Sequence, residues 1–415
     1  MDRWLPSAHL LDIFHAALTR VDGQKVVRHA LATLSCTWKL VHLVAIGKAA
    51  VAMTRGALDV LGNRIAAGLV ITKVGYSGSL DNNLPVRVLE AAHPIPDASS
   101  LRAGNFLLDF MQSRSDNNAR KKFLFLISGG TSSLVESLPE FVTLEELRRV
   151  NAWLLGSGLD IHQVNRIRKR LSRIKGGRLA ACLGQHSASV LLLSDVPGDD
   201  PASIGSGLLV PDEGDVDLDM VPEWLRALLV QTPPLPSPGD PMFANLDVRV
   251  VGCLTDALRG AAARARSRGY PVRLTSGILT GDAAEQGRTL ATALALGEPG
   301  VYLWGGETTV VLPPAPGKGG RNQHLALAAA REIQGREDLF LLAAGTDGSD
   351  GPGSWAGALV DGGTIARGRA AGLDPDLSLA QADAQTFLAA SGDLLHTGPT
   401  GTNVMDLVIG LKRLP

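Results

Sequence analysis

The sequence predicts an α/β protein of two α/β domains, and three observations carry that prediction. Short Leu-rich or β-branched runs alternate with longer helical patterns along all 415 residues. The runs are apolar without alternating polarity, as strands covered on both faces are, so the sheet is expected to be mostly parallel. Glycine reaches 47 residues while aromatics make up only 4%. That suits a core of Ala, Val, Leu and Ile with many tight strand-to-helix junctions.

The elements follow in order. The N-terminal MDRWLPSAHLLDIFHAALTR carries polar residues through its apolar pattern, and no apolar run approaches the roughly 20 residues of a membrane span, so neither signal peptide nor anchor is expected. Strands are predicted at Leu40 to Ile46, Gly68 to Thr72, Val86 to Ala91, Phe123 to Ile127 and Ser189 to Ser194, with helices from Lys48 to Leu61 and from Ile161 to Leu183. Between Pro211 and Pro241, PDEGDVDLD and QTPPLPSPGDP concentrate acids and prolines around one short helical pattern, which reads as a surface connection. Domains are therefore expected at 1–235 and 236–415. The second half predicts further strands at PVRL, VYLW, TTVVL, LFLLAA and DLVIGL.

Net charge is -1, which offers no global field for nucleic acid or an anionic membrane, and neither is expected as a partner. Cys36, Cys182 and Cys253 are far apart and form no C-x-x-C pair, so no disulfide framework or zinc cage is indicated and a reducing cytoplasm is the expected compartment. A homo-oligomer is compatible with the sequence, which does not fix the oligomeric state.

Chemistry-bearing residues collect at element junctions. No P-loop motif occurs, and no G-x-G-x-x-G follows a strand and opens a helix. In ISGGTSSL, Gly129 and Gly130 can turn sharply, and Ser128, Thr131 and Ser132 can surround an anion at a helix start; a well-capped helix is the plainer alternative. AIGKAA places Lys48 at another helix start, against the dipole, which favours an anion-binding task. In NRIRKRLSRIKGGRLA, helical spacing would set Asn165, Arg168, Ser172 and Lys175 on one polar face. Asp195, in SDVPGDDP, follows a strand at the end where open parallel sheets bind ligands and could hold magnesium. Glu307 follows WGG; Arg321, with Asn322 behind it, opens a helix after GKGG; Asp347 and Asp350 share GTDGSDGP; Thr400, Thr402 and Asn403 lie in HTGPTGTNV. Together they point to a cleft between two α/β domains that binds a phosphorylated, metal-associated ligand.

With these motifs in the same order along nearly the whole chain, and with AAHPIPD among them, the sequence resembles the glycerate 2-kinase family, also called the MOFRL family, whose members were often labelled hydroxypyruvate reductases. The resemblance implies a larger Rossmann-like N-terminal domain and a smaller C-terminal MOFRL domain across a cleft. It implies phosphoryl transfer from ATP to the 2-hydroxyl of glycerate, giving 2-phosphoglycerate, with Mg2+. Lys48 and Arg321 look like the central basic pair, expected to converge on the glycerate carboxylate and the migrating phosphoryl. Ser128 to Ser132 look like a phosphate or substrate loop, Lys175 belongs to the basic-helix motif, and Asp195 and Glu307 look like polar groups of the cleft. Asp195 is the expected metal ligand, with Glu307, Asp347 or Asp350 as alternates. The chain has His324 where the family usually has Glu, Leu208 where it usually has Pro, and Met405 where it usually has Asn. The rival readings are an NAD(P)H-dependent hydroxypyruvate reductase, which lacks its dinucleotide fingerprint here, and a non-catalytic metabolite-binding homologue.

Overall fold

The computed structural model describes the chain apart from residues 1–3, 35–37, 79, 81–83, 116–120, 160, 213, 215, 276 and 415. Cys36 thus lies outside the described residues; Cys182 and Cys253 are not disulfide-bonded. Contacts divide the chain into two compact units, Gly23–Val251 and the residues up to Asp22 together with those from Gly252 onward.

The Gly23–Val251 unit is built on six strands, β1 (Val41–Ile46), β2 (Ile65–Lys73), β3 (Val86–Ala91), β4 (Lys122–Ile127), β5 (Ser187–Leu193) and β6 (Leu246–Gly252). They lie in the order β3-β2-β1-β4-β5-β6, and the pairs β2–β3, β1–β2, β1–β4 and β4–β5 are all parallel. Val44, Ile46, Phe123, Phe125 and Val190 are fully buried or nearly so, which is why β1, β4 and β5 read as unbroken apolar runs. The connections run through the helices α2 (Gly23–Leu34), α3 (Ala50–Leu61), α4 (Ala98–Ser115) and the short α5 (Thr131–Leu134). Gly56 lets α3 approach α2 closely, since a Cβ there would stand 2.3 Å from the Gln24 carbonyl oxygen. A separate small core joins α6 (Leu144–Gly156), α7 (Ile161–Arg170) and α8 (Glu223–Leu229) through Val150, Leu154, Ile167, Leu171, Leu225 and Leu229. The strand order reverses direction between β1 and β4, and the crevice outside the carboxyl ends of those strands is where such sheets bind ligands.

The other unit begins with α1 (Trp4–Arg20), which packs on α9 (Leu254–Ser267). Its sheet contains β7 (Val272–Leu274), β8 (Gly300–Gly306), β9 (Leu339–Gly345), β10 (Gly357–Asp361), β11 (Leu394–Leu395) and β12 (Asp406–Lys412), in the order β11-β10-β9-β12-β8-β7. The helices α10 (Ala283–Leu296), α11 (Arg321–Glu332), α12 (Thr364–Ala370), α13 (Pro375–Ala380) and α14 (Ala384–Ser391) complete it. Here the expectation of a mostly parallel sheet gives way. β12 lies antiparallel between β8 and β9, and only β7–β8 is parallel among the pairs described.

Four further differences from the sequence reading have local causes. The helix expected from Ile161 to Leu183 ends at Arg170, where Arg173 N–H donates to the Ser137 carbonyl and Ile174 turns into the sheet core, and only after Gly176 and Gly177, with φ of 60° and 85°, does a 3-10 turn form at Arg178–Leu183. TTVVL is not a strand: Thr309 makes one isolated bridge to Asp282, and Val311 and Leu312 are 84% and 64% exposed. The stretch from Pro211 to Pro241 is more than a connection, since its Leu225 and Leu229 are fully buried against α6 and α7. Where the sequence reading divided the chain at 235/236, the contacts divide it at Val251/Gly252 and assign α1 to the second unit. The physical reason is β6, whose polar-interrupted LDVRVVG pairs as an edge strand of the parallel sheet.

Candidate active site

In the parallel-sheet unit the site grows from the adjoining carboxyl ends of β1 and β4. Ser128 N–H donates to the Ile46 carbonyl at 3.0 Å, and Lys48 N–H donates to the Gly129 carbonyl at 2.9 Å, so the two loops continue the ladder past the strands. Gly47 must be glycine: its φ is 126°, and a Cβ would stand 2.1 Å from Ser128 Oγ. Ser128 and Thr131, the expected anion-loop hydroxyls, are fully buried and serve this junction instead. Ser128 Oγ accepts from Ala49 N–H at 3.1 Å, and Thr131 Oγ1 lies 2.7 Å and 3.0 Å from the Ser128 and Ile46 carbonyls. Ser132 Oγ contacts Ser206 Oγ at 2.7 Å. Gly130, with φ 87°, leaves space for Lys48 and for His93: a Cβ there would lie 3.3 Å from Lys48 Cγ and 3.1 Å from the His93 ring. Lys48 itself is half-buried. His93 went unselected in the sequence although AAHPIPD carries it; its signal was a polar ring just beyond a strand end.

The basic segment behaves differently from the expected stripe. Lys175, 4% exposed, is on no helix with Asn165 and Arg168; its Nζ donates to Glu136 Oε2 at 2.5 Å and to the Ser132 carbonyl at 2.8 Å. Glu136 in turn accepts from Ser172 Oγ at 2.5 Å and Ser137 N–H at 3.0 Å. Lys175 is therefore a buried brace for the loop after β4, not a surface-facing cation. Asn165 and Arg168 lie on α7, and Arg168 donates from Nε to Asn151 Oδ1 on α6 at 3.0 Å, with burial lowering its pKa. Asp195 stands two residues past β5, half-buried, at the same edge of the sheet as Lys48.

In the mixed-sheet unit the register builds the site. Asp406, the first residue of β12, pairs with Gly306 on β8 and with Gly345 on β9, so the start of β12 lies beside the carboxyl ends of both neighbours. Glu307 follows the first end directly, and Asp347 lies two residues past the second. Arg321 opens α11 and meets this edge: Nε donates to Asp406 Oδ2 at 2.5 Å, Nη2 to Asp406 Oδ1 at 3.1 Å, and Nη1 to Glu307 Oε1 at 2.5 Å. Asp350 caps the same helix, accepting from Asn322 N–H at 3.0 Å, Asn322 Nδ2 at 3.3 Å and Gln323 N–H at 2.8 Å. An arginine at a helix N-terminus opposes the dipole, and this ring of carboxylates is what offsets it. Asn322, expected to bind substrate, thus spends its amide on Asp350. Asp347 accepts from the Ser349 N–H and hydroxyl at 2.8 and 3.0 Å, Thr400 Oγ1 donates to the Thr346 carbonyl at 2.5 Å, and Asn403 is 7% exposed.

Electrostatics follow from burial. Desolvation alone would lower the Arg321 pKa, but Asp406, by charge and hydrogen bond, and then Glu307 and Asp350 raise it well above its usual value. Burial pushes Asp350 up to about 6, against the pull of the Asn322 and Gln323 amides. Burial also lowers the His324 pKa, with a weaker opposing pull from Asp282. Met405 has φ 68°, a left-handed backbone that Asn tolerates better. Asp406 was missed in the sequence, though an acid opening the apolar run DLVIGL was its signal. Among the described residues no three His, Cys, Asp or Glu side chains are grouped so as to cage a metal ion, and no helix is long and apolar enough to cross a membrane.

Residues 9–226 match a family described as a domain of unknown function, DUF4147, and residues 300–406 match the MOFRL family. The D-glycerate 2-kinase of Thermotoga maritima is 36% identical, with 97% of each chain covered. The glycerate 2-kinase of Pyrococcus horikoshii is 33% identical over 89% of this chain and 87% of its own. The crystal structure of the Thermotoga maritima glycerate kinase superposes with a TM-score of 0.82 at 35% identity, covering 98% of this chain and 99% of that one.

Proposed function

The chain belongs to the glycerate 2-kinase family, and from that premise we propose that it phosphorylates the 2-hydroxyl of D-glycerate with ATP to give 2-phosphoglycerate. The observation that carries the reading is Lys48, anchored by its backbone to Gly129 and seated against Gly130 where the strand order reverses between β1 and β4. Phosphoryl transfer asks the protein for in-line positioning and compensation of oxygen charge rather than covalent chemistry. Lys48 supplies a point charge for anionic oxygens, and the Arg321 fork supplies planar donors suited to a carboxylate or phosphate.

Magnesium fits this donor set as a phosphate-borne ion held by one carboxylate, the usual protein share of its coordination. Asp195, half-buried at the carboxyl edge, would hold it. When bound, the ion would neutralise nucleotide oxygens. The dinucleotide reading is disfavoured by the β1–α3 turn: its one glycine, Gly47, is packed against Ser128, where a pyrophosphate site needs open backbone.

The test is ADP release with D-glycerate and ATP, run beside NADH consumption with hydroxypyruvate. Glycerate-dependent ADP release is expected, and Lys48→Ala should lower turnover by orders of magnitude with little change in thermal midpoint. NADH loss without ADP release, or normal turnover by Lys48→Ala, would overturn the reading.

A further inference from the structure

We infer that Asp406 is a positioning residue for phosphoryl transfer: it fixes the Arg321 guanidinium edge-on, so that the fork presents its remaining face to the substrate anion. The inference rests on the kinase reading above and adds a residue to it. Three observations support it. Asp406 holds Arg321 through two nitrogens, Nε at 2.5 Å and Nη2 at 3.1 Å, which sets the plane of the fork as well as its location. The cross-strand partners of Asp406 on both sides are glycines, Gly306 and Gly345, so neither paired residue sets a Cβ beside it; one built at Gly345 would lie 3.5 Å from Asp406 Oδ1. And the two carboxylates on Arg321 differ in kind: the Asp406 side chain is 8% exposed, whereas that of Glu307 is 44% exposed. The buried contact is the permanent one, and the exposed contact is the one a substrate oxyanion can replace.

A merely structural aspartate would contribute stability alone. A positioning aspartate controls how well a guanidinium in this slot acts, even one not covalently attached. Asp406→Asn keeps the shape and one acceptor but removes the charge, and glycerate-dependent kcat/KM should fall by about tenfold or more, the scale of one lost charge-assisted pair. Arg321→Ala should then regain activity in added guanidinium ion well below denaturing concentrations, and Arg321→Ala/Asp406→Asn should not. The same ion should raise the thermal midpoint of the single variant and not of the double. Unchanged kcat/KM in Asp406→Asn, or equal responses of the two Arg321→Ala proteins to guanidinium, would overturn the inference. If Asp406→Asn folds poorly, the comparison of the Arg321→Ala pair decides, because there neither chain carries the ion pair. The thermal measurement reads the slot's hold on guanidinium without turnover, so a wild-type chain inactive on glycerate would count against the kinase reading, whereas equal thermal responses of the two Arg321→Ala proteins would count against the Asp406 slot.

Discussion

Replacing Lys175 with Met separates two roles that the sequence could not. The side chains of Lys175 and Glu136 are 5% and 3% exposed, and their Nζ to Oε2 distance is 2.5 Å. Met fills most of the lysine's volume but leaves Glu136 Oε2 and the Ser132 carbonyl without their donor, while Oε1 keeps the Ser172 hydroxyl and the Ser137 amide. Removing one partner of a buried pair costs about 3–5 kcal/mol, because the charge left behind is uncompensated. For a unit of this size that corresponds to a fall of roughly 6–20 °C in thermal midpoint. Neutralising the partner as well, in Lys175→Met/Glu136→Gln, should recover at least half of the loss, since no uncompensated charge then remains. The assay is thermal unfolding followed by circular dichroism, with steady-state kinetics on the same preparations. A Lys175→Met protein that melts within about 1 °C of wild type yet has a greatly raised KM would refute the brace, and would return Lys175 to the substrate as the resemblance implied.

Two further outcomes can be checked. Asp350 has its folded-state pKa raised by burial to about 6 from 3.8, so the native state binds the extra proton and stability from this group is lost as pH rises from about 4 to about 6. Up to about 3 kcal/mol is involved, and the loss should be absent in Asp350→Asn, whose carbonyl still accepts from the helix amides; parallel pH dependence of the two midpoints would refute this. Ala382 closes α13 with φ 50° in a Schellman arrangement, Asp383 N–H donating to Ser378 O and Ala382 N–H to Leu379 O, a position where glycine is preferred; Ala382→Gly should add about 1 kcal/mol, read as a higher denaturation midpoint in urea.

How far the sequence was legible depended on whether the cause was local. β1, β4, β5, β8 and β9 were visible because strands buried on both faces must be apolar throughout, and the glycines after β1 and β4 marked turns that no other residue could make. β6 was not visible: as an edge strand with Asp247 and Arg249 exposed, it has the composition of a linker. Nor was the antiparallel placement of β12, which is a property of pairing that apolar runs do not encode.

Within the candidate site the same division holds, and it explains which residues changed role. Lys48 and Arg321 were recognisable because each is a cation at a helix start, where the dipole disfavours it. The counter-ions of Arg321 and Lys175 were not, since Asp406 and Glu136 are distant in sequence from the cations they pair with and reach them only through register and loop closure. A buried cation therefore reads like a functional one until its counter-ion is located. For Lys175 the cation and its carboxylate are both buried, whereas for Arg321 one of its two carboxylates is exposed. That difference in exposure, rather than the presence of a salt bridge, is the physical ground for reading the first as part of the fold and for proposing the second for the reaction.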